Sequence, residues 1–308
     1  MASQAGRSAA IASAPAVFVL LWSTGFVGAK YALPYAEPFT FLALRLFIAT
    51  ALLWLIVIVA RGDRLSGRVQ WGRSAVTGVL LHAGYLGGVF WAIGHGLPAG
   101  VSAVVVSLQP VVVAALAKRF LGERLSRLQW VGLVLGLIGV VLTLAPGLLD
   151  DSRSQEFPPL GIVACLVALA AGTAGTIHQK RHGDRIPLVS GTAVQYLAAA
   201  ILLAAGSLAF ESQTIDWTLE FSLAMGWLVL ALSLGAVLLL LFLLKRGSAS
   251  SVSSLFYLVP PATAIEAYLL FGEELAPISI VGVVVTALGV ALALRKPRAG
   301  PGDELEGA

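Results

Sequence analysis

The chain has 308 residues, 58% of them Ala, Val, Ile, Leu, Met, Phe, Trp, Tyr or Cys, with 33 Gly and only 12% charged, against about 25% charged in ordinary globular chains. Long neutral runs, with charge confined to short islands, exclude a water-facing exterior and point to a membrane protein. The 20 Lys and Arg set against 16 Asp and Glu lie between the apolar runs and build no basic stripe, which excludes a nucleic-acid surface.

A helix needs about 20 mainly apolar residues to cross the hydrocarbon core. That ruler predicts ten spans, near 14–32, 38–60, 72–96, 98–118, 127–145, 159–179, 187–210, 221–244, 248–271 and 277–295. The first carries Trp22, Gly25, Gly28 and Lys30 and reads as a retained helix, not a cleaved signal peptide. HGLP at 95–98 separates the third from the fourth, because Gly and Pro punctuate the run. The runs are too long, and too little alternating, for a β-barrel.

With ten spans, alternate loops share a side. One side receives Arg7; Arg61, Arg64, Arg68 and Arg73; Lys118, Arg119, Arg124 and Arg127; Lys180, Arg181 and Arg185; Lys245 and Arg246; Arg295, Lys296 and Arg298. The opposite side receives Arg153 alone, and Lys30 and Arg45 fall within spans. This bias places both termini in the cytoplasm. It also supports the count, since one helix more or fewer would reassign every later loop.

Sliding the chain by 150 residues aligns 98–145 with 248–295 without gaps, giving 15 identities in 48 positions. Pro110 meets Pro260, Gly122-Glu123 meets Gly272-Glu273, Gly132 meets Gly282 and Gly139 meets Gly289. Shared Leu and Val could come from composition; shared Pro, Gly-Glu and Gly in one register point to duplication. The front halves match weakly, with Arg45 facing Gln195. Five spans per copy is an odd number, so the second copy enters the membrane inverted. The expected fold is therefore an all-α membrane protein of ten transmembrane helices, two inverted five-helix repeats around a central cavity. Its parts are a cytoplasmic tail (1–13), a first repeat (14–147), a periplasmic linker (148–158), a second repeat (159–296) and a cytoplasmic tail (297–308).

The stretches SLQPVVVAALAKRFLGERLS and YLVPPATAIEAYLLFGEELA, with LLWSTGFVGAKYA and the Arg of ALRLFIA, resemble the drug/metabolite transporter superfamily, EamA type. The resemblance covers about 14–296 and extends to bacterial amino-acid exporters, including the aromatic branch. It implies a multi-pass inner-membrane carrier of small metabolites. Gln195 departs from the pattern, where a symmetrical repeat would place an Arg opposite Arg45.

Polar groups at depth are the candidates for handling cargo, because unpaired polarity is costly there. His82 and Tyr85 are three apart on one helical face, beside Gly84, Gly87 and Gly88. They read either as a cavity lining or as a small-residue helix contact. Ser107 and Gln109 precede Pro110, and Tyr257 precedes Pro260 and Pro261. A proline frees backbone polarity one turn earlier and bends the helix, so these positions read as site walls and flexing elements or as plain kinks. Trp22 lies deep enough to line the cavity, whereas Trp91 lies nearer the outer surface. Arg45 and Glu266 sit at comparable depth, so an ion pair is expected either for structure or for holding a substrate carboxylate and a proton. The Gly-Glu turns read as helix ends, with Gly in a left-handed turn and the acid accepting loop N–H groups.

Cys165 lies in an apolar run and reads as a small buried hydrophobe. The sequence has no GxxxxGK[ST] run, no metal-binding spacing and no Ser, His or acid arrangement for hydrolysis. The expectation is a secondary transporter exporting amino acids or related metabolites by alternating access, with no cofactor and with proton coupling through His82 or Glu266. The chain would act as a monomer or weak homo-oligomer. The alternatives are a nucleotide-sugar, phosphate-ester or drug carrier, and, from other classes, a passive channel or an intramembrane enzyme.

Overall fold

The computed structural model describes residues 4–97, 99–148, 158–271 and 276–295. The periplasmic linker, the Gly272-Glu273 turn and the C-terminal tail expected from the sequence lie outside these residues, apart from Leu148 and Pro158 at the linker's edges.

The described chain is helical, with one isolated β-bridge, Ala36 to Ile215. Helix α1 is Gln4–Ala32, ten residues longer at its start than the expected span, and α2 is Pro38–Val59. Helix α3, Gly67–Gly94, contains a π-helical stretch at Val79–Gly87. Helix α4 comes in two pieces, Ala99–Val106 and Gln109–Leu121. Next are α5, Arg127–Leu148, α6, Pro159–His182, and α7, Leu188–Phe210. Helix α8, Leu219–Arg246, has its own π-helical stretch at Leu228–Ala236. Helix α9 runs through Ala249–Ser254, a 3-10 turn at Leu255–Leu258 and Val259–Phe271, and α10 is Pro277–Ala293.

Seven helices among the described residues are long and apolar enough to cross a membrane. Two of the other three predicted spans are represented by shorter described apolar helices, Ser13–Gly25 within α1 and the 17-residue α10, and both α4 and α9 are interrupted. Both interruptions occur just before prolines. Leu108 N donates to Val105 O at 3.2 Å ahead of Pro110, and Leu255–Leu258 tightens ahead of Pro260 and Pro261. A proline lacks the N–H that would continue the α-ladder, so the preceding turn closes on nearer carbonyls. The two π-helical stretches begin 149 residues apart. The halves thus share irregularities as well as residues.

Polarity is arranged for lipid. Arg45, His82 and Gln195 are 2%, 4% and 1% exposed, whereas Leu208 and Leu219 are 75% and 77% exposed. Apolar side chains cover the outside, and Arg45, His82 and Gln195 find partners within the bundle.

The glycines shared between the halves hold α5 against α10. A Cβ on Gly139 would lie 2.4 Å from Thr286 N and 2.8 Å from Gly282 O, and one on Gly289 would lie 2.3 Å from Gly136 N. Only hydrogen fits between such close backbones. The contact is stitched by Ser279 Oγ donating to Thr143 O at 2.9 Å.

The basic residues gather at one end. Gln70 Nε2 donates to Arg185 O, Ser190 Oγ to Asp63 O and Lys245 Nζ to Ile186 O, which brings the loops after α2, α6 and α8 together. There Gly122 takes φ +72° and ends α4. Its neighbour Glu123 accepts from Ala249 N at 2.7 Å, Ser250 N at 3.3 Å and Ser250 Oγ at 2.8 Å. The carboxylate caps the first turn of α9, whose N–H groups have no partner within their own helix. The turn of one half thus holds a helix of the other.

Gly139→Val is expected to cost about 1–3 kcal/mol, the usual range for overpacking, because two of the three nearest atoms it meets, Thr286 N and Gly282 O, are backbone. Gly226→Ala has open space around the new methyl and should leave stability equal or slightly higher. Thermal unfolding in detergent checks both; a Gly139→Val protein as stable as the parent would mean that α5 and α10 do not need this close approach.

Candidate functional site

The centre of the bundle holds a cleft with room for about 70 Å³, two or three waters' worth. Trp22, Leu33, Arg45, His82, Tyr85, Phe90, Tyr196 and Ser233 are among the residues lining it.

Two crosswise hydrogen bonds frame the cleft. Arg45 on α2 donates from Nε to Ser233 Oγ on α8 at 2.9 Å. Gln195 on α7 faces His82 on α3, with Nε2 and Oε1 3.4 Å apart. Gln195 uses its amide N–H on Gln179 Oε1 at 3.2 Å, which leaves its carbonyl oxygen to accept from His82. Arg45 and Gln195 are 150 residues apart, and Ser233 is one position beyond the residue equivalent to His82. These are therefore the two versions of one joint. Ser233 and His82 both sit in π-helical stretches, whose wider turn re-aims side chains within an otherwise regular helix. A second Arg at 195 would face an imidazole instead of a hydroxyl, which accounts for the asymmetry between the halves.

Tyr196 completes the joint. Its hydroxyl donates to Ser233 O at 2.5 Å, and its ring lies edge-on to His82 at 4.8 Å. The terminal nitrogens of Arg45 make no other hydrogen bond among the described residues. A planar guanidinium fork is suited to a carboxylate. The remaining wall is aromatic and aliphatic, with Trp22 packed on Phe18 and Phe256 at 5.3 and 5.1 Å. Tyr85 is seated by Gly172, where an added Cβ would lie 2.8 Å from its ring and 3.2 Å from Gln109 Oε1.

Of the residues singled out in the sequence, Trp22, Arg45, His82 and Tyr85 line the cleft and Gln195 supports it. Gln109 stands behind Tyr85, donating to Thr176 Oγ1 at 3.3 Å. Ser107 turns back on its own helix to Val104 O at 2.7 Å, and Tyr257 packs its ring on Gly136. Pro110, Pro260 and Pro261 stand at the helix interruptions. The expected partnership of Arg45 with Glu266 is absent. Glu266 Oε1 accepts from Ser23 Oγ at 2.6 Å and its Oε2 has no partner among the described residues. Equal depth did not make these two charges neighbours, because α9 packs on α1 while Arg45 is directed at α8. Trp91 stacks on His95 at 3.9 Å, away from the cleft. The side chain of Lys30 lies outside the described residues. Sequence reasoning missed Tyr196 and Ser233; the repeat offset, followed from His82, leads to within one residue of Ser233.

At the end opposite the basic loops, Leu33 separates the cleft from a shallow hollow formed by the 33–38 and 212–216 segments. Reciprocal carboxylates clasp the two halves there. Glu37 accepts from Ser212 N at 2.6 Å and from its hydroxyl. Glu211 accepts from Phe39 N and Thr40 N, both at 2.7 Å, capping α2. Asp216 N donates to Tyr35 O at 2.9 Å beside the Ala36 to Ile215 bridge.

The EamA-like transporter family model matches this sequence twice, over residues 10–145 and 159–295. The chain is 26% identical to the uncharacterized transporter YvbV of Bacillus subtilis (strain 168), over 92% of this chain and 91% of that one. It is 27% identical to the uncharacterized inner membrane transporter YedA of Escherichia coli (strain K12), over 92% of each. A probable amino-acid metabolite efflux pump of Salmonella typhimurium is 27% identical over 88% of this chain and 90% of its own. One solved crystal structure superposes with a TM-score of 0.76 at 23% identity, covering 91% of this chain and 94% of that one, a likeness of fold.

Hydrogen bonds from the hydroxyl and N–H of Ser212 hold the Glu37 carboxyl below the usual carboxylate range. A carboxyl depressed by the clasped state supports that state fully above its ordinary range and loses this support as pH falls through the depressed value. Spin labels on Pro34→Cys and Thr214→Cys should therefore report one short distance at neutral pH and a growing longer population in acid. Glu37→Gln should show the longer population at neutral pH; a distribution unmoved by either change would mean that the carboxylate does not hold the clasp.

Proposed function

The chain belongs to the EamA-like transporter family, and from that premise we propose that it exports small metabolites, amino acids first among them, by alternating access. It is a multi-pass inner-membrane protein. In this reading all ten helical segments cross the bilayer, with the second five-helix repeat inverted relative to the first and both termini in the cytoplasm. The basic end of the bundle then faces the cytoplasm and the clasp faces outward.

The observation that carries the proposal is the paired joint around the cleft, Arg45 with Ser233 and His82 with Gln195. A polar centre that served stability alone would be consumed by its own hydrogen bonds. Here the guanidinium fork still presents unbonded N–H groups to the cleft wall, and aromatic rings form the rest of it. An amino acid offers a carboxylate to the fork and an apolar side chain to Trp22, Tyr85 and Phe90. A nucleotide sugar or phosphate ester would need several cations, and Arg45 is the one Lys or Arg among the residues lining the cleft. The similarity to an amino-acid metabolite efflux pump supports the same substrate class.

Movement follows from the same parts. The clasp of Glu37 and Glu211 with Leu33 beneath it forms the outer gate, and the interruptions at Pro110 and Pro260-Pro261 let α4 and α9 flex as the halves rock. Glu266, with one oxygen unpartnered, is the proton carrier, working with His82 when export is driven by the proton gradient. The polypeptide acts as a carrier, not an enzyme.

Reconstitution into proteoliposomes with a panel of labelled amino acids and metabolites tests this reading. Saturable counterflow of at least one amino acid is expected, whereas linear flux independent of exchange would indicate a pore. His82→Ala should lower the rate on the order of tenfold, the size of a lost hydrogen bond of about 1.4 kcal/mol. An unchanged rate would remove His82 from the mechanism.

A further inference from the structure

We propose that the basic end carries a binding site for an anionic phospholipid, in a hollow of about 430 Å³ beside the α4–α5 turn. Ala114 and Ala115 line it with Lys118, Glu123, Arg124 and Trp130. Two small side chains leave space where two cations converge. The one acid present is already engaged, since Glu123 accepts three hydrogen bonds from the start of α9. Lys118 and Arg124 make no hydrogen bond or ion pair among the described residues. The hollow therefore sets two cations, free of hydrogen bonds and ion pairs among the described residues, against one carboxylate already turned to the α9 cap, a net positive charge that suits a phosphate.

The ligand is identified as a lipid by what adjoins the charges. Trp130, partly exposed on the hollow's edge, has the amphipathic character of a residue at a membrane interface. From it Val131, Val134, Ile138 and Val141 continue along α5, all exposed and spaced three or four residues apart. That spacing sets them on one helical face. It makes an apolar track for an acyl chain whose headgroup phosphate sits between Lys118 and Arg124. A soluble phosphate would use the cations and leave the indole and the track without a role. Because the hollow abuts the Glu123 cap, a bound lipid braces the joint between the α4–α5 turn and α9.

The full chain in neutral detergent, titrated and followed by native mass spectrometry, tests the site with three probes. These are phosphatidylglycerol, phosphatidylcholine of the same chains, and glycerol 3-phosphate. Phosphatidylglycerol should bind in preference to the other two. A cation near a lipid surface contributes a roughly fivefold preference, so Lys118→Gln with Arg124→Gln should weaken phosphatidylglycerol about 30-fold. The pair Arg64→Gln with Arg68→Gln removes equal charge from the same end outside the hollow and should change binding less than about twofold, as should the charge-keeping Lys118→Arg with Arg124→Lys. Equal binding of the two lipids, or equal losses in the two Gln pairs, would overturn the site in favour of diffuse surface charge. Displacement of phosphatidylglycerol by glycerol 3-phosphate at comparable concentration would overturn the lipid assignment and leave a soluble-anion site.

Discussion

A polar group inside a bilayer must find its partner within the protein, and the centre of this bundle is organised by that requirement. Arg45 could not sit inside α2, about a third of the way along it, unless another helix offered it oxygen, and Ser233 on α8 does so. The same demand, met with different chemistry, joins Gln195 to His82. These joints tie the second helix of each half to the third helix of the other. Each half is thereby incomplete alone, and the shared cleft lies where the two joints meet. The unbonded N–H groups of Arg45 are the residue of that arrangement, since one guanidinium has more donors than its helix neighbours accept.

Both ends are held by carboxylates acting on helix starts, although with unequal consequences. At the basic end Glu123 caps α9, beside backbone contacts supplied by Lys180 to Leu244 O and Gln129 to Arg295 O. At the other end the clasp consists of two short segments and two acids, Glu37 and Glu211, with a single bridge between them. The bonds of Glu37 to Ser212 and of Tyr35 to Glu220 are open to solvent, which makes this the end that yields at lower cost. The cleft also leans toward it, since Leu33 and Ile93 near the clasp line its wall.

Much of the architecture was legible because hydropathy and charge act over whole segments. The runs of apolar residues marked the helices, and the loops rich in Arg and Lys meet at one end. The shared Gly132, Gly139, Gly282 and Gly289 anticipated a special relation between the halves, and close packing of α5 on α10 explains why only Gly serves there. What stayed hidden depended on direction instead of depth. Equal depth suggested Arg45 with Glu266, whereas the orientation of each side chain sends one to α8 and the other to α1. The π-helical stretches were hidden for a related reason, since one extra residue in a turn leaves hydropathy unchanged while it redirects His82 and Ser233. Pro15, inside α1, shows the reverse case, where a residue that often ends helices is accommodated within one.

Alternating access is tested most directly by reaching the cleft from each face. With Cys165 replaced by Ala, a cysteine at Leu86, which lines the cleft, is exposed to a membrane-impermeant thiol reagent in right-side-out and inside-out vesicles. The inverted-repeat mechanism predicts labelling from both faces, and labelling from the cytoplasmic face alone once cysteines at Ala36 and Ile215 are oxidised to lock the clasp. Labelling confined to one face in the unlocked protein, or access from outside that survives the lock, would contradict it.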